Sequence, residues 1–115
     1  MDIFKRANML IYIAGPYTKP DPVINTRNAI QAAEELLAAG LIPYIPHLSM
    51  LWHLVQPHDI EFWYEYDLFI LTRCDCMLRL PGESTGADRE EVCAVKWGKR
   101  VFRSVEEIQK WRDHK

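Results

Sequence analysis

The sequence predicts a single α/β domain, residues 1–115, with a small parallel sheet of four to five strands and helices on both faces. Short apolar runs of strand length alternate along the chain with segments of helical periodicity. The first strand, helix and strand together take about 35 residues, which is the length of one βαβ unit. A chain of 115 residues with 49% hydrophobic and 26% charged residues is typical of one globular domain.

The first βαβ unit begins with the continuous apolar run Met9–Ala14, MLIYIA. Runs of this kind are typical of a strand buried on both faces, at the centre of a parallel sheet. A helix follows, with Asn25 or Thr26 as its expected N-cap and Gly40 just beyond its end. The run at 41–45, LIPYI, then predicts the second strand.

The next segment, 46–56, is expected to be irregular and contains His47, Trp52 and His53. It leaves the carboxyl end of the second strand, and ligands of open α/β sheets bind at that edge. Two imidazoles and an indole there are suited to stacking on a nucleobase. The alternative, equally open, is a loop that fills its own hydrophobic gap.

A third helical segment, 57–73, begins with Pro57 in its expected first turn. Asp67 takes one place in its core-facing apolar stripe. A carboxylate there is costly unless it is hydrogen-bonded or functional, so Asp67 is either a site residue or a rim residue bonded to a backbone N–H. The opposite side of the helix is also apolar, which predicts burial against another subunit; it carries Phe62, Tyr66, Phe69 and Ile70.

The end of the chain supplies two further strands, expected at 75–80 and 99–103. Ser104 and Glu107 form the pattern of a capping box for a last helix that ends near Asp113. With right-handed crossovers, this order of elements gives a Rossmann-like or flavodoxin-like arrangement.

The stretch Leu80–Val95, LPGESTGADREEVCAV, joins the third strand to a helix expected at 86–97. Its Gly/Ser turn, Ser84–Gly86, directs free backbone N–H groups at an anion or a sugar phosphate. Glu90 and Glu91 lie in the first turns of the helix, where the positive end of its dipole is expected to keep a carboxylate ionised. Only one of two neighbouring residues faces the site; alternatively, both are solvated.

Composition and missing motifs exclude several classes of protein. A net charge of −2 gives no reason to expect nucleic acid or a membrane as partner. There is no Gly-Lys-Ser/Thr P-loop ending and no G-x-G-x-x-G, which argues against ATP hydrolysis and NAD redox chemistry. Three cysteines with a poor metal spacing, and residues 1–8 without an apolar signal region, predict a cytoplasmic protein without a metal site.

Three motifs together resemble the nucleoside 2-deoxyribosyltransferase superfamily, which includes N-glycosidases of nucleoside 5′-monophosphates. They are IYIAGPYT at 11–18, Asp67 eight residues before Asp75, and Ser84-x-Gly86-x-x-x-Glu90 followed by Ala94. The resemblance extends over about residues 10–103. Its order and spacing are more specific than any single motif.

The resemblance implies a role for each matching residue. Glu90 attacks the anomeric carbon of the sugar and forms a glycosyl-enzyme, Asp67 orients and polarises the reacting groups, and Tyr12 lies close to the nucleophile. Such a mechanism retains configuration, with a second carboxyl about 5 Å from the nucleophile. Together with the strand-end loops, the resemblance gives the expected substrate-binding residues: Gly15, Pro16, Tyr17, His47, Trp52, Ser84, Thr85 and Gly86.

The expected protein is therefore an enzyme for a small-molecule nucleoside or nucleotide, needing no metal or organic cofactor and forming a homodimer or higher homo-oligomer. It cleaves the N-glycosidic bond and transfers the (deoxy)ribosyl group to another base. Hydrolysis of a (deoxy)nucleoside 5′-monophosphate and non-catalytic nucleotide binding remain as alternatives. The loop after the first strand contains no arginine that could hold a phosphate; the first one after Gly15 is Arg27. This favours a nucleoside over a nucleotide. The tail Trp111–Lys115 has no assigned role.

Overall fold

The computed structural model describes residues 9–114, which form an α/β fold with one parallel sheet. The strands are β1 (Leu10–Ala14), β2 (Ile42–Tyr44), β3 (Cys76–Arg79) and β4 (Arg100–Phe102), in the order β2-β1-β3-β4. The helices are α1 (Pro22–Ala38), α2 (Met50–Val55), α3 (Ile60–Arg73), α4 (Thr85–Lys96) and α5 (Val105–Asp113). Within 9–114, no helix has both the length and the apolar composition for a membrane crossing.

Residues 1–8, on which the expectation of no signal region depends, lie outside the described part, as does Lys115 at the end of the basic tail. The predicted Rossmann-like architecture is confirmed for the described residues, with four strands. Most predicted boundaries agree with the structure to within one residue.

Helices cover both faces of the sheet, as predicted, because successive side chains of a strand point to opposite faces. Ile11 and Ile13 of β1 pack towards α1 and α5, in a cluster that includes Leu36 and Ile108. Tyr12 points to the other face, where its cluster holds Leu71 of α3 with Ala87 and Ala94 of α4. The residues of α3 and α4 that face the sheet therefore meet Tyr12.

The start of α1 differs from the prediction. The helix begins at Pro22, and the Asp21 carboxylate caps it by accepting from the backbone N–H groups of Val23 and Ile24 at 2.8 and 3.1 Å. Neither Asn25 nor Thr26 is the N-cap. Asn25 lies one turn inside the helix. Its side-chain amide donates to two carbonyls of the preceding loop, at 3.0 and 2.9 Å.

The segment 46–56 is largely helical, so the prediction that it is irregular was wrong. It forms a 3₁₀ turn, Pro46–Ser49, followed by α2. No side chain caps either piece. Pro46 in the first turn is a start signal for the 3₁₀ helix, whereas α2 is joined to α3 by aromatic contacts. The next helix starts at Ile60 rather than Pro57, because Asp59 accepts from the Phe62 backbone N–H at 2.9 Å and forms the N-cap.

Candidate active site

A short hydrogen bond joins β1 to α4 on the α3/α4 side of the sheet. The buried Tyr12 donates its hydroxyl to Glu90 Oε2 at 2.5 Å. Glu90 faces the sheet because Ala87 and Ala94, about one turn before and after it, are the buried positions of α4. Glu91 points away from Tyr12 and pairs with Arg103 at 2.9 Å and, more loosely, with Arg79 of β3 at 3.6 Å. Of the two neighbouring glutamates, Glu90 is the one that meets β1.

A second carboxyl lies on the same side. Asp67 of α3 is buried and accepts a hydrogen bond from the Tyr44 hydroxyl at 3.1 Å. Tyr44 of β2 is the register partner of Tyr12 in β1, and the centroids of the two rings are 5.6 Å apart. The two carboxyls are thus connected by one cross-strand pair of tyrosines. Asp67 accepts from this side-chain hydroxyl, whereas the rim alternative called for a backbone N–H.

Burial raises the pKa of Glu90 to about 7. The hydrogen bond from Tyr12 opposes this shift, the charge of Asp67 adds to it, and the charges of Arg79 and Arg89 oppose it. The expectation that the positive end of the helix keeps Glu90 ionised is therefore wrong. Loss of water from a carboxylate against the sheet outweighs a dipole effect that is typically below 1 kcal/mol at an exposed position.

Burial also raises the pKa of Asp67 to about 7, against the hydrogen bond from Tyr44. Two interacting carboxyls that both titrate near neutrality hold about one proton between them at pH 7. The pKa of Tyr12 lies well above its ordinary value, through burial and then the charges of Glu90 and Asp67, so its hydroxyl remains a donor. Such a pair supplies one ionised and one protonated carboxyl, the combination used in glycoside cleavage.

The turn before α4 leaves the helix end open. Ser84 is the N-cap, and its Oγ accepts from the Ala87 backbone N–H at 3.0 Å. Thr85 and Gly86 begin the helix and are exposed. A Cβ built on Gly86 would meet nothing within 4 Å, so the space beside this first turn is free. A hydroxyl or anion has access to the helix N-terminus there.

The loop after β1 lies against the loop after β3. A Cβ on Gly15 would lie 3.0 Å from Leu80 Cβ, a close approach that requires glycine or a shift of the neighbour. The Pro16 carbonyl accepts from His47 Nε2 at 3.0 Å. Tyr17 is 38% exposed, at the outside of this loop. Gly15 and Pro16 therefore adjoin the carboxyl end of β3, as their position after β1 predicts.

His47 and Trp52 do not line the common slot for a nucleobase that the sequence predicted. His47 is buried, with Nε2 on Pro16 and its Nδ1 without a hydrogen-bond partner among the described residues. Burial lowers the pKa of His47, which favours the neutral ring. These contacts favour the gap-filling alternative for His47.

Trp52 belongs to an aromatic cluster of α2 and α3 and is 47% exposed. Its ring lies edge-on to Trp63 and Tyr66, with centroids 5.1 and 5.7 Å away. The neighbouring His53 accepts from the Trp63 indole N–H at 2.8 Å through its Nδ1. The contacts of Trp52 and His53 therefore join α2 to α3.

Sequence reasoning missed two residues of this site, Tyr44 and Arg79. Tyr44 lies in a run taken only as a strand, although its register opposite Tyr12 places it on the same face. Arg79 is a buried charge at the end of β3. A charged residue inside an apolar strand pattern was the available signal, because such a residue needs partners.

Two surface cavities lie apart from the carboxyl pair. One, of about 740 Å³, is lined in part by Arg79, Val92 and Val95. The other, of about 380 Å³, is lined in part by Asn28 and Gln31 of α1. Neither lining includes Tyr12, Asp67 or Glu90, so the interpretation of the site rests on hydrogen bonds and burial. Within 9–114, no group of three or more His, Cys, Asp and Glu residues is arranged to hold a metal ion.

Comparisons with known proteins agree with this fold. The family described as a domain of unknown function, DUF4406, matches residues 9–103. No curated protein matches the chain. A solved structure of a 2-deoxyribosyltransferase from the psychrotolerant bacterium Bacillus psychrosaccharolyticus is similar, with 22% sequence identity and a TM-score of 0.65 over 80% of this chain and 69% of that one. The predicted resemblance is confirmed at the level of the fold.

Proposed function

The chain belongs to the DUF4406 family, a domain of unknown function, and we propose that it cleaves the N-glycosidic bond of a (deoxy)nucleoside through a covalent intermediate on Glu90. The observation that carries this proposal is the 2.5 Å hydrogen bond from Tyr12 to Glu90, beside a second buried carboxyl, Asp67. A similar solved structure is a 2-deoxyribosyltransferase, described as a biocatalyst for the synthesis of nucleosides. That likeness supports the proposed substrate class.

In the proposed reaction, the ionised Glu90 attacks the anomeric carbon of the sugar. A bond forms between a Glu90 carboxyl oxygen and that carbon, the bond to the base nitrogen breaks, and its electron pair leaves with the base. Protonated Asp67 passes its proton to the departing base, while Tyr12 stabilises the ionised form of Glu90. An acceptor base then attacks the anomeric carbon and gives its N–H proton to Asp67. The bond from that carbon to Glu90 breaks and its electron pair regenerates the carboxylate, with configuration retained over the two steps.

The proposed substrate carries a free 5′-hydroxyl, held beside Ser84–Gly86. A 5′-phosphate calls for an arginine or lysine with donors to spare, and the arginines near α4 are engaged. Arg79 pairs with Asp88 at 3.0 Å, Arg103 pairs with Glu91 at 2.9 Å, and the Arg89 guanidinium lies 3.7 Å from the Tyr64 ring centroid. Hydrolysis of a 5′-monophosphate is the alternative, and it differs in needing such a cation.

We also propose that the enzyme is a homodimer or a larger homo-oligomer and acts in the cytoplasm. The outer side of α3 supports the oligomer, since Phe62, Tyr66 and Phe69 are 37%, 37% and 58% exposed. Large contiguous apolar surface of this kind marks interfaces between proteins. Carboxyl chemistry of this type needs neither a metal nor an organic cofactor.

Replacing Glu90 by Gln tests the proposal. The purified protein is incubated with nucleosides and 5′-monophosphates, with and without an acceptor base, and products are separated by chromatography. Base exchange identifies a transferase, and free base without exchange identifies a hydrolase. Loss of the nucleophile is expected to reduce base release by roughly 1,000-fold or more, with nucleoside affinity within about tenfold because the amide keeps the shape of the site.

Glu34→Gln, on the exposed surface of α1, is the control and keeps its base release. A 2-fluoro sugar analogue is expected to leave a mass label on Glu90; a label on Glu91 would contradict the assignment. Nucleoside binding by the wild type with no base release from any substrate would identify a binding module and sink the enzyme proposal.

A further inference from the structure

A guanidinium is buried at the carboxyl end of β3. Arg79 is only 6% exposed, and a buried cation destabilises a fold unless it is paired and hydrogen-bonded. Its Nη1 donates to the Leu80 carbonyl, and its Nη2 donates to the Gly82 carbonyl at 3.1 Å and to Asp88 Oδ1 at 3.0 Å. Its Nε lies 3.6 Å from Glu91 Oε1. The contacts reach two separate parts of the chain, the loop after β3 and the first turns of α4.

These partners lie on both sides of the Ser84–Gly86 turn. Leu80 and Gly82 come before it and Asp88 comes after it, so Arg79 spans the turn and holds its two ends together. The several donors of a planar guanidinium suit this geometry, whereas a lysine ammonium is a point charge on a flexible stem. Asp88 itself is exposed, so the buried member of this pair is the arginine.

The same loop touches β1 from the other direction. Gly82 has φ +114, and a Cβ there would lie 2.7 Å from Pro16 Cγ, so the loop after β3 rests directly on the loop after β1. Glu90 lies two residues beyond Asp88 and meets Tyr12 of β1. The Arg79 contacts therefore fix α4, which carries Glu90, relative to the strand that carries Tyr12.

We propose that Arg79 is a positioning residue for Glu90: its guanidinium clamps the β3–α4 loop to the first turns of α4 and sets how Glu90 meets Tyr12. Only the catalytic consequence of this clamp rests on the proposed function. The Arg79 charge also lowers the pKa of Glu90, so the arginine favours the ionised carboxylate.

The kinetic test uses Arg79→Lys, which keeps the charge but loses the planar fork, and Arg79→Met, which loses both. The control is Arg27→Met, an exposed arginine of α1 on the other face of the sheet. Both Arg79 variants are expected to lower kcat by about 100-fold, the cost of a displacement near 1 Å. KM changes little, since Arg79 does not touch the substrate, and Arg27→Met keeps the wild-type kcat.

Two further measurements do not need turnover. In a crystal structure of Arg79→Lys, Tyr12 Oη and Glu90 Oε2 are expected to lie beyond hydrogen-bond distance. In NMR titrations of glutamate labelled at its carboxyl carbon, the pKa of Glu90 rises in Arg79→Met and stays at its wild-type value in Arg27→Met. Circular dichroism verifies that each variant is folded. If Arg79→Met is unfolded, the test uses Arg79→Lys.

The outcomes separate the two proposals. A lower kcat with the Tyr12–Glu90 contact and the Glu90 pKa unchanged would make Arg79 merely structural and overturn the clamp. If the wild type releases no base but Glu90 moves or changes its pKa in the Arg79 variants, the clamp holds and the proposed function fails.

Discussion

Single residues decide the electrostatics of the site. Glu90 and Asp67 each lose water on folding, and each accepts one tyrosine hydroxyl, from Tyr12 and Tyr44 respectively. Burial is the larger effect for both, so each carboxyl has a pKa of about 7. Because the charge of Asp67 raises the pKa of Glu90, the two titrate as an interacting pair.

The pH dependence of kcat/KM tests this pair. The active form has Glu90 ionised and Asp67 protonated, so the profile is expected to be bell-shaped and centred near pH 7. Asp67→Asn removes the alkaline limb, because an amide does not ionise. The acid limb stays close to its wild-type position, because Asp67 is already uncharged in the active form. Asp113→Asn, remote and exposed, keeps the wild-type profile; an alkaline limb that survives in Asp67→Asn would contradict the pairing.

Among the helices and strands, sequence signals predicted correctly the elements that are stabilised by contacts between neighbouring residues. The apolar run of β1 and the Ser84 cap of α4 are readable because each depends on adjacent residues. The predicted start of α1 was wrong because Asn25 has the residue type of an N-cap but a different role. Its side chain bonds to loop carbonyls six and eight residues away. Helix α2 was missed because aromatic contacts of Trp52 with α3 hold it rather than a cap.

The site residues divide in the same way. Asp67 was recognised because it interrupts a helical apolar stripe. Glu90 and Glu91 both follow the Gly/Ser turn, and the family resemblance singled out Glu90. Tyr44 and Arg79 escaped, since their roles depend on a register across two strands and on carbonyls of a folded loop. Periodicity locates a buried charge, but the partners that satisfy it are visible only after folding.

The exposed aromatic side of α3 is the expected interface of the oligomer. Phe69→Glu is expected to raise the dissociation constant of the oligomer by about 30-fold or more, or roughly 2 kcal/mol, because a carboxylate would lose its water inside an apolar interface. Sedimentation equilibrium measures the association. Val23→Glu, at an exposed apolar position of α1, is the matched control. Unchanged association in Phe69→Glu would show that this side of α3 lies outside any interface.

For the whole molecule, the site opposes the stability of the fold. Glu90 and Asp67 have higher pKa values in the folded protein, about 7, than their ordinary values of 4.5 and 3.8. Between about pH 4 and pH 7 the unfolded chain therefore binds fewer protons, and the free energy of unfolding falls as the pH rises. Above that window the full loss is present.

Glu90→Gln is expected to be more stable than the wild type at about pH 8 by roughly 1–3 kcal/mol. The amide oxygen still accepts from Tyr12, but no charge is buried. The difference shrinks towards about pH 4, where Glu90 is protonated in both states. Urea unfolding at the two pH values measures it, with Glu34→Gln on exposed α1 surface as control. Equal stability of Glu90→Gln and wild type at the higher pH would contradict the raised pKa.

The register of Tyr12 with Tyr44 gives the proposed reactive centre a different origin from the loops at the edge of the sheet. Both tyrosines lie on one rung between β1 and β2, where neighbouring strands keep a spacing of about 4.8 Å, and both carboxyls lie on helices. None of these four groups belongs to a connecting loop. We therefore expect that exchange of loops among chains of this fold leaves the carboxyl pair in place. Under the proposed function, such exchange changes the surroundings of the substrate without rebuilding the reactive centre.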